Sequence, residues 1–449
     1  MTGSVWLIAV LAISVLFIIL GTTKLKIHPF IVLLLASYVA GALAGLPVEK
    51  IAVTISTGFG NIMASIGIVI VLGTIIGVVL EKSNAAIQLA GLVLKLVGKR
   101  FPALAMSIVG YIVSIPVFCD SAFVILSSLK KSLVHKTGKP SVALSIALAT
   151  GLYATHTFVP PTPGPVAAAG NLGLENQLGV VILFGLPVAA VAMITGYLWA
   201  SFTGKKYSTS EDENQETGTF QNEIKLPSAS KSLMPILVPI ILIALRSVAT
   251  YPSQPFGNGF VFLVFSFCGQ PVNALLIGLL LSLLLFPRFN KETLTGWIGD
   301  AISAAAPILL ITGAGGAFGT ILKEAQIGDT LGNLLAGYQL GIFMPFIIAA
   351  AFKTAQGSST VALIATSALI APLLSTIGLD SVTGKTLAVM ATGAGAMTIS
   401  HANDSYFWVV TQFSGMDVKT GLKTLTTATL IQGISSIIFI YLLTLMFKV

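Results

Sequence analysis

Apolar runs about as long as a bilayer is thick follow one another along this chain, separated by short loops that hold most of its lysines. A bilayer core offers no water to backbone groups, so each run must satisfy its own peptide N–H and C=O groups. A helix of about 20 residues does this while spanning about 30 Å. The 449 residues are 55% hydrophobic and 9% charged, with a mean hydropathy of +0.95. A soluble domain is excluded, and an all-α polytopic membrane protein is expected. The formal charge of +8 sits in short loops without interleaved aromatics, so no nucleic-acid partner is implied. Cys119 and Cys268 give neither a metal-ligand spacing nor a disulfide framework, and no cofactor or metal site is read.

The runs repeat. Gly73-Thr-Ile-Ile-Gly77 aligns with Gly315-Gly-Ala-Phe-Gly319, and the same offset places Pro29 on Pro271 and Leu89 on Leu331. With slight slippage, the region of Asp120 falls on that of Ser358, and the region of His156 on that of His401. Residues 1–203 are therefore read as a first transmembrane repeat and 233–449 as a second, joined by a hydrophilic linker at 204–232. The first repeat is expected to have helices near 5–22, 29–46, 58–80 and 84–97, a broken stretch at about 102–129, then helices at 140–159 and 178–203. The second is expected at 233–250, 271–287, 300–322 and 329–338, with a broken stretch at about 341–376, then 385–400 and 424–447. Breaks at corresponding places in two halves point to a transporter's binding site.

Charge sets the orientation. The first apolar run has no basic residue before it and Lys24 and Lys26 after it, so a retained span with its N-terminus outside is expected. If each broken stretch is a re-entrant hairpin, most of the 24 lysines and arginines then face the cytoplasm, among them Lys82, Lys130, Lys131, Lys205, Lys206, Arg288 and Lys291. Each half crosses an odd number of times, so the repeats are inverted, the hairpins enter from opposite sides, and the C-terminus is also outside.

Four polar clusters interrupt the apolar background. At bilayer depth such groups survive only in protein or a wet cavity, and an ionisable one marks function. The first is Asp120-Ser121. In the second, Thr155-His156-Thr157 precedes Pro160, Pro161, Pro163, Gly164 and Pro165, which must unwind a helix and free carbonyls for a ligand. The third is Lys353-Thr-Ala-Gln356-Gly357-Ser358-Ser359-Thr360: Gly357 turns the chain, Ser358 or Ser359 caps the next helix, and its free N–H groups beside Lys353 suit an anion. A plainer reading makes it a small-residue helix contact with Lys353 snorkelling. The fourth is Ser400-His401-Ala-Asn403-Asp404, where Asp404 either acts in transport or braces a turn with Asn403. Asp120 has a similar pair of readings, as a functional carboxylate or as a helix cap. Arg246 has no notable polar neighbour in the sequence and is placed near an interface.

With its motifs Phe118-Cys-Asp-Ser-Ala-Phe123, His156-Thr-Phe-Val-Pro-Pro-Thr-Pro-Gly-Pro165, Ala314-Gly-Gly-Ala-Phe318, Gln356-Gly-Ser-Ser-Thr-Val-Ala362 and Ser400-His-Ala-Asn-Asp-Ser-Tyr-Phe-Trp408, the chain resembles the gluconate permease (gluconate:proton symporter) family, within the wider carboxylate ion transporter group. Nearly the whole chain takes part. The resemblance implies a secondary transporter, importing gluconate or a related sugar acid with protons across a bacterial inner membrane. It also implies a homodimer with elevator-like scaffold and transport domains. Two places depart from the family pattern: Thr162 stands where relatives commonly have histidine, and Cys119 where an aromatic often precedes the acid.

The expected substrate-binding residues are Asp120, Ser121, Lys353, Gln356, Gly357, Ser358, Ser359, Thr360 and Asn403, and the proton-coupling candidates are Asp120, His156, His401 and Asp404. Of the coupling candidates, Asp120 is expected to repel a substrate carboxylate or capture Lys353 when ionised. Sodium coupling stays open, since unwound carbonyls and hydroxyls hold sodium as well; so does a passive anion channel. An intramembrane enzyme is disfavoured, because neither a His-Glu-x-x-His helix nor a Gly-x-Ser-x-Gly elbow is present.

Overall fold

The computed structural model describes residues 2–97, 101–209, 212, 226–250, 256–327, 341–401 and 404–449. Among these every regular element is helical. The expected short helix at 329–338, most of the linker and Asn403 lie outside the described residues.

Among the described residues six helices are long and apolar enough to cross a membrane, and a bent pair taken as one span makes a seventh. Two of them form the backbone of one helix group: Val48–Lys82 and Glu292–Glu324, of 35 and 33 residues. At 1.5 Å per residue each is about 50 Å long, well beyond a hydrocarbon core of about 30 Å, so both must tilt. The sequence expectation of 58–80 is too short at its start, because Glu49, Lys50 and Thr54 hide an amphipathic extension from an apolar-run reading. The two helices run antiparallel. Lys50 pairs with Glu324 at 2.7 Å at one end, and Lys82 with Asp300 at the other. They cross where Gly58 meets Gly316: a Cβ on Gly58 would lie 2.8 Å from the Gly316 carbonyl oxygen. Only glycine permits that approach.

Pro29–Leu43 and Pro271–Leu285 pack against this pair; Thr2–Thr23 packs on Pro29–Leu43, and Ala229–Ala249 packs on Pro271–Leu285 and on Phe260–Cys268, which makes a 74° bend with Pro271–Leu285. Phe260–Cys268 was not anticipated. Gly269 and Pro271 end one helix and start the next, and Gly269 sits against the Leu242 carbonyl where a Cβ would come within 2.3 Å. Arg246, without a notable polar neighbour in the sequence, donates to the Asn176 carbonyl at 3.1 Å.

The second group holds the polar clusters. Its centre is Ser141–Phe158, buried at every position. Against it pack Leu178–Thr203, Val382–Met397 and the final helix Thr427–Phe447. The first broken segment consists of Pro102–Val113 and Cys119–Thr137; the second of Phe343–Gln356 and Ser359–Ile370. The proline cluster breaks its helix as the sequence requires: Ser141–Phe158 stops, and Pro163–Asn171 resumes with Pro163 in its first turn. Gly164 lies close to the second broken segment, its missing Cβ leaving room for Leu363.

Candidate functional site

Lys353 is fully buried in the last turn of Phe343–Gln356. A lone ammonium there would be costly, so it needs partners. Gly357 supplies one: at φ +91° it reverses the chain, and its carbonyl oxygen accepts from Lys353 Nζ. The second is a carboxylate, Asp404 Oδ2, at 2.6 Å. Asp404 is itself 4% exposed and fully engaged, since Oδ1 accepts from the Tyr406 backbone N–H at 3.0 Å and Oδ2 also accepts from the Ser400 hydroxyl. It is the N-cap of Ser405–Gln412, a helix absent from the sequence expectation because its eight residues show no apolar run of span length.

Of the two roles expected of an ionised Asp120, repelling a substrate carboxylate or capturing Lys353, the second place is taken here by Asp404, fixed by its cap position. Asp120 stays nearby, within electrostatic reach of both Lys353 and Asp404. Nor is it the helix cap, a position held by Phe118. Its Oδ1 is buried with no hydrogen-bond partner.

An aromatic wall closes one side. Tyr153 stacks on Tyr406 at 5.0 Å and on His156 at 6.2 Å, and Lys353 Nζ lies 5.6 Å from the Tyr153 ring centre. The Tyr153 hydroxyl lies beside Ser359 without a well-formed hydrogen bond, and the His156 Nδ1 has no hydrogen-bond partner among the described residues. Buried polar atoms are nearly always paired, and Asp120 Oδ1, the Tyr153 hydroxyl and His156 Nδ1 lie unpaired around this one ion pair. Tyr153 was missed by the sequence reading, although its i, i+3 spacing to His156 puts both on one helix face.

The other expected residues divide. Ser358 caps Ser359–Ile370, accepting from the Val361 N–H at 3.3 Å; Ser359 is buried and Thr360 half-buried at the start of that helix. Gln356 is the last residue of its helix. Ser121 points elsewhere, lying beside Glu81 of the long helix. His401 is half-buried, its Nε2 3.0 Å from the Thr354 carbonyl, which requires that nitrogen to carry the proton. Pro160 and Pro161 lie near the long helix, where Gly73 leaves room for the Pro161 carbonyl. Thr162 turns its hydroxyl back to the Val159 carbonyl.

Lys130, counted in the sequence among the cytoplasmic lysines, is fully buried, with Nζ donating to the Phe413 carbonyl at 3.1 Å and to Ser414 Oγ at 3.4 Å.

A lysine–carboxylate pair at the junction of broken helices, deep in an apolar protein, is what an anion carrier requires. The family model for GntP permeases matches residues 6–446. The chain belongs to the GntP permease family. It is 32% identical to the gluconate permease of Pseudomonas aeruginosa, covering 99% of each chain. It is equally 32% identical to the D-serine transporter DsdX of Escherichia coli K12, again over 99% of each. Among solved structures, the YdaH transporter of Alcanivorax borkumensis shares the fold, with a TM-score of 0.66, 14% identity, and coverage of 94% of this chain and 99% of that one. This GntP permease is thus an integral membrane transporter rather than an enzyme.

Proposed function

We propose that this permease imports a small hydroxylated carboxylate with protons, that Lys353 binds the substrate carboxylate, and that Asp404 occupies Lys353 between transport events. One observation carries this reading: the buried ammonium already grips a carboxylate at 2.6 Å. A substrate carboxylate competes for the same cation. With Asp120, Asp404 and the substrate all ionised, three anions would face one lysine. Each like-charge contact costs about 4 kcal/mol at 4 Å and an effective dielectric of about 20. Protonating Asp404 releases Lys353, so proton and anion each favour the other's binding, as symport needs. Asp120, His156 and His401 are the remaining coupling candidates.

The relatives' names fit this chemistry. Gluconate and D-serine share a carboxylate with a polar group on the next carbon and a hydroxyl further along. Gluconate or a similar sugar acid is the favoured substrate. The unpartnered Asp120 oxygen favours a second reading, in which an amino acid's ammonium meets Asp120 and supplies the charge that a proton supplies otherwise.

The inverted repeat and elevator motion belong to the same proposal. The antiparallel helices Val48–Lys82 and Glu292–Glu324 correspond under the sequence repeat, which supports inversion. Their group acts as scaffold, while the two broken segments, as re-entrant hairpins, move with the group around Ser141–Phe158. Units 1–203 and 233–449, the cytoplasmic linker, a homodimer, a bacterial inner-membrane location and both termini outside complete the reading.

Uptake into proteoliposomes by labelled gluconate, glycerate and D-serine, under imposed pH or sodium gradients, tests it. Accumulation of a hydroxy acid on the pH gradient is expected. Accumulation driven by sodium alone contradicts proton coupling, and D-serine as the sole substrate selects the second reading.

A further inference from the structure

A cavity of about 580 Å³ lies between the two long helices and the far end of the second broken segment. Asn61, Asn171, Thr320, Lys323, Gln326 and Ser375 are among its lining residues. It is separate from the Lys353 cluster: Ala368, on its wall, is nine residues along the helix from Ser359, or about 13 Å. We propose that this cleft is a vestibule that attracts and weakly holds the substrate anion before it reaches Lys353, with Lys323 as its cation.

The lining is unusual for a membrane protein. Asn61 is exposed, yet lies 13 residues beyond Val48 within a single 35-residue span, about 20 Å from its start. An amide at that depth needs water or protein around it, so the cleft is wet. A π-helical turn, Met63–Gly67, begins two residues later, a distortion frequent at functional sites. On the facing helix, Thr320 Oγ1 bonds back to the Gly316 carbonyl at 2.7 Å and keeps its lone pairs for a ligand. Asn171 pins the third wall, its amide donating to Ile364 O at 3.2 Å and Ser367 Oγ at 2.9 Å.

Lys323 sets the sign. Among the described residues it has no ion-pair partner, and the neighbouring acid, Glu324, is held by Lys50 at 2.7 Å. Asp300 pairs with Lys82 at the opposite end. Among the described residues the cleft thus offers the Lys323 cation above amides and hydroxyls, chemistry for a small hydroxylated monoanion. The volume suits one such molecule with its water. Attraction to an exposed cation raises the local anion concentration and weakens with salt.

This inference rests on the anion-carrier reading but is tested without a transport assay. In a background lacking Cys119 and Cys268, Asn61→Cys should react with both anionic and cationic methanethiosulfonate reagents. Rates normalised to a free thiol should favour the anionic reagent several-fold at low salt. Lys323→Gln should erase that preference, and millimolar gluconate should slow the wild-type-Lys323 reaction. An unreactive Asn61→Cys overturns the wet cleft, and a preference indifferent to Lys323→Gln overturns the cation's role. If Lys353→Ala keeps full substrate binding while these results hold, the Lys353 reading falls and the vestibule stands.

Discussion

Lys130 donates to the carbonyl of Phe413, immediately after the helix whose N-terminus Asp404 caps. The short helix Ser405–Gln412 therefore joins the two broken segments: Lys353 of the second grips its start, and Lys130 of the first grips its end. A cation at a helix C-terminus also suits the dipole. Lys130→Met should remove a charge-assisted, part-buried hydrogen bond, costing about 1.5–3 kcal/mol at most. A lowered thermal midpoint in detergent together with slowed exchange is the expected result. Unchanged stability would remove Lys130 from this connection.

Tyr153 separates ligand binding from folding. Its hydroxyl makes no well-formed hydrogen bond, so Tyr153→Phe should leave stability within about 1 kcal/mol of wild type or raise it. Substrate affinity should nonetheless fall about tenfold, the loss of roughly one hydrogen bond. Unchanged affinity in a titration would place the hydroxyl outside the site.

Lys353→Ala should abolish binding and destabilise the protein by about 3–5 kcal/mol, because Asp404 is left as an uncompensated buried charge. Lys353→Met combined with Asp404→Asn removes both charges, so stability should recover while binding stays lost. Lys353→Arg should keep partial binding, as charge survives with altered shape. Wild-type affinity in the alanine variant contradicts the assignment.

The broken helices and the polar clusters were legible in the sequence because polar residues and prolines inside apolar runs have few physical solutions. Gly357 and Ser358 could be placed as turn and cap from local chemistry alone. Partnership could not. Asp404 meets Lys353 across 51 positions, and nothing local distinguishes it from Asp120 as the lysine's partner. The Phe413 carbonyl that Lys130 meets is equally remote, 283 positions along the chain. Helix Phe260–Cys268 escaped because its apolar run merges with the one that follows.

Inversion has its own test. Lys131 and Ser375 lie in opposite repeats, after the breaks of their segments. Cysteines placed there, without Cys119 and Cys268, should label from opposite faces of intact cells with an impermeant thiol reagent. Labelling of both from outside contradicts the inverted repeat.

Asp120→Asn should weaken substrate selectivity while gradient-driven accumulation survives, if Asp120 meets the substrate's polar groups and Asp404 carries the proton. Loss of accumulation with retained counterflow would transfer the coupling role to Asp120. Failure of both carboxylate variants to alter coupling would direct the same assay to His156→Gln and His401→Gln.

The central claim is that protonation of Asp404 frees Lys353 for the substrate, and Asp404→Asn tests it most directly. Asparagine keeps the helix cap and resembles the protonated acid. Substrate affinity measured from pH 5 to 9 should become high and independent of pH in this variant, counterflow should persist, and accumulation on a pH gradient should fail. An Asp404→Asn permease that still concentrates substrate on a pH gradient contradicts the account.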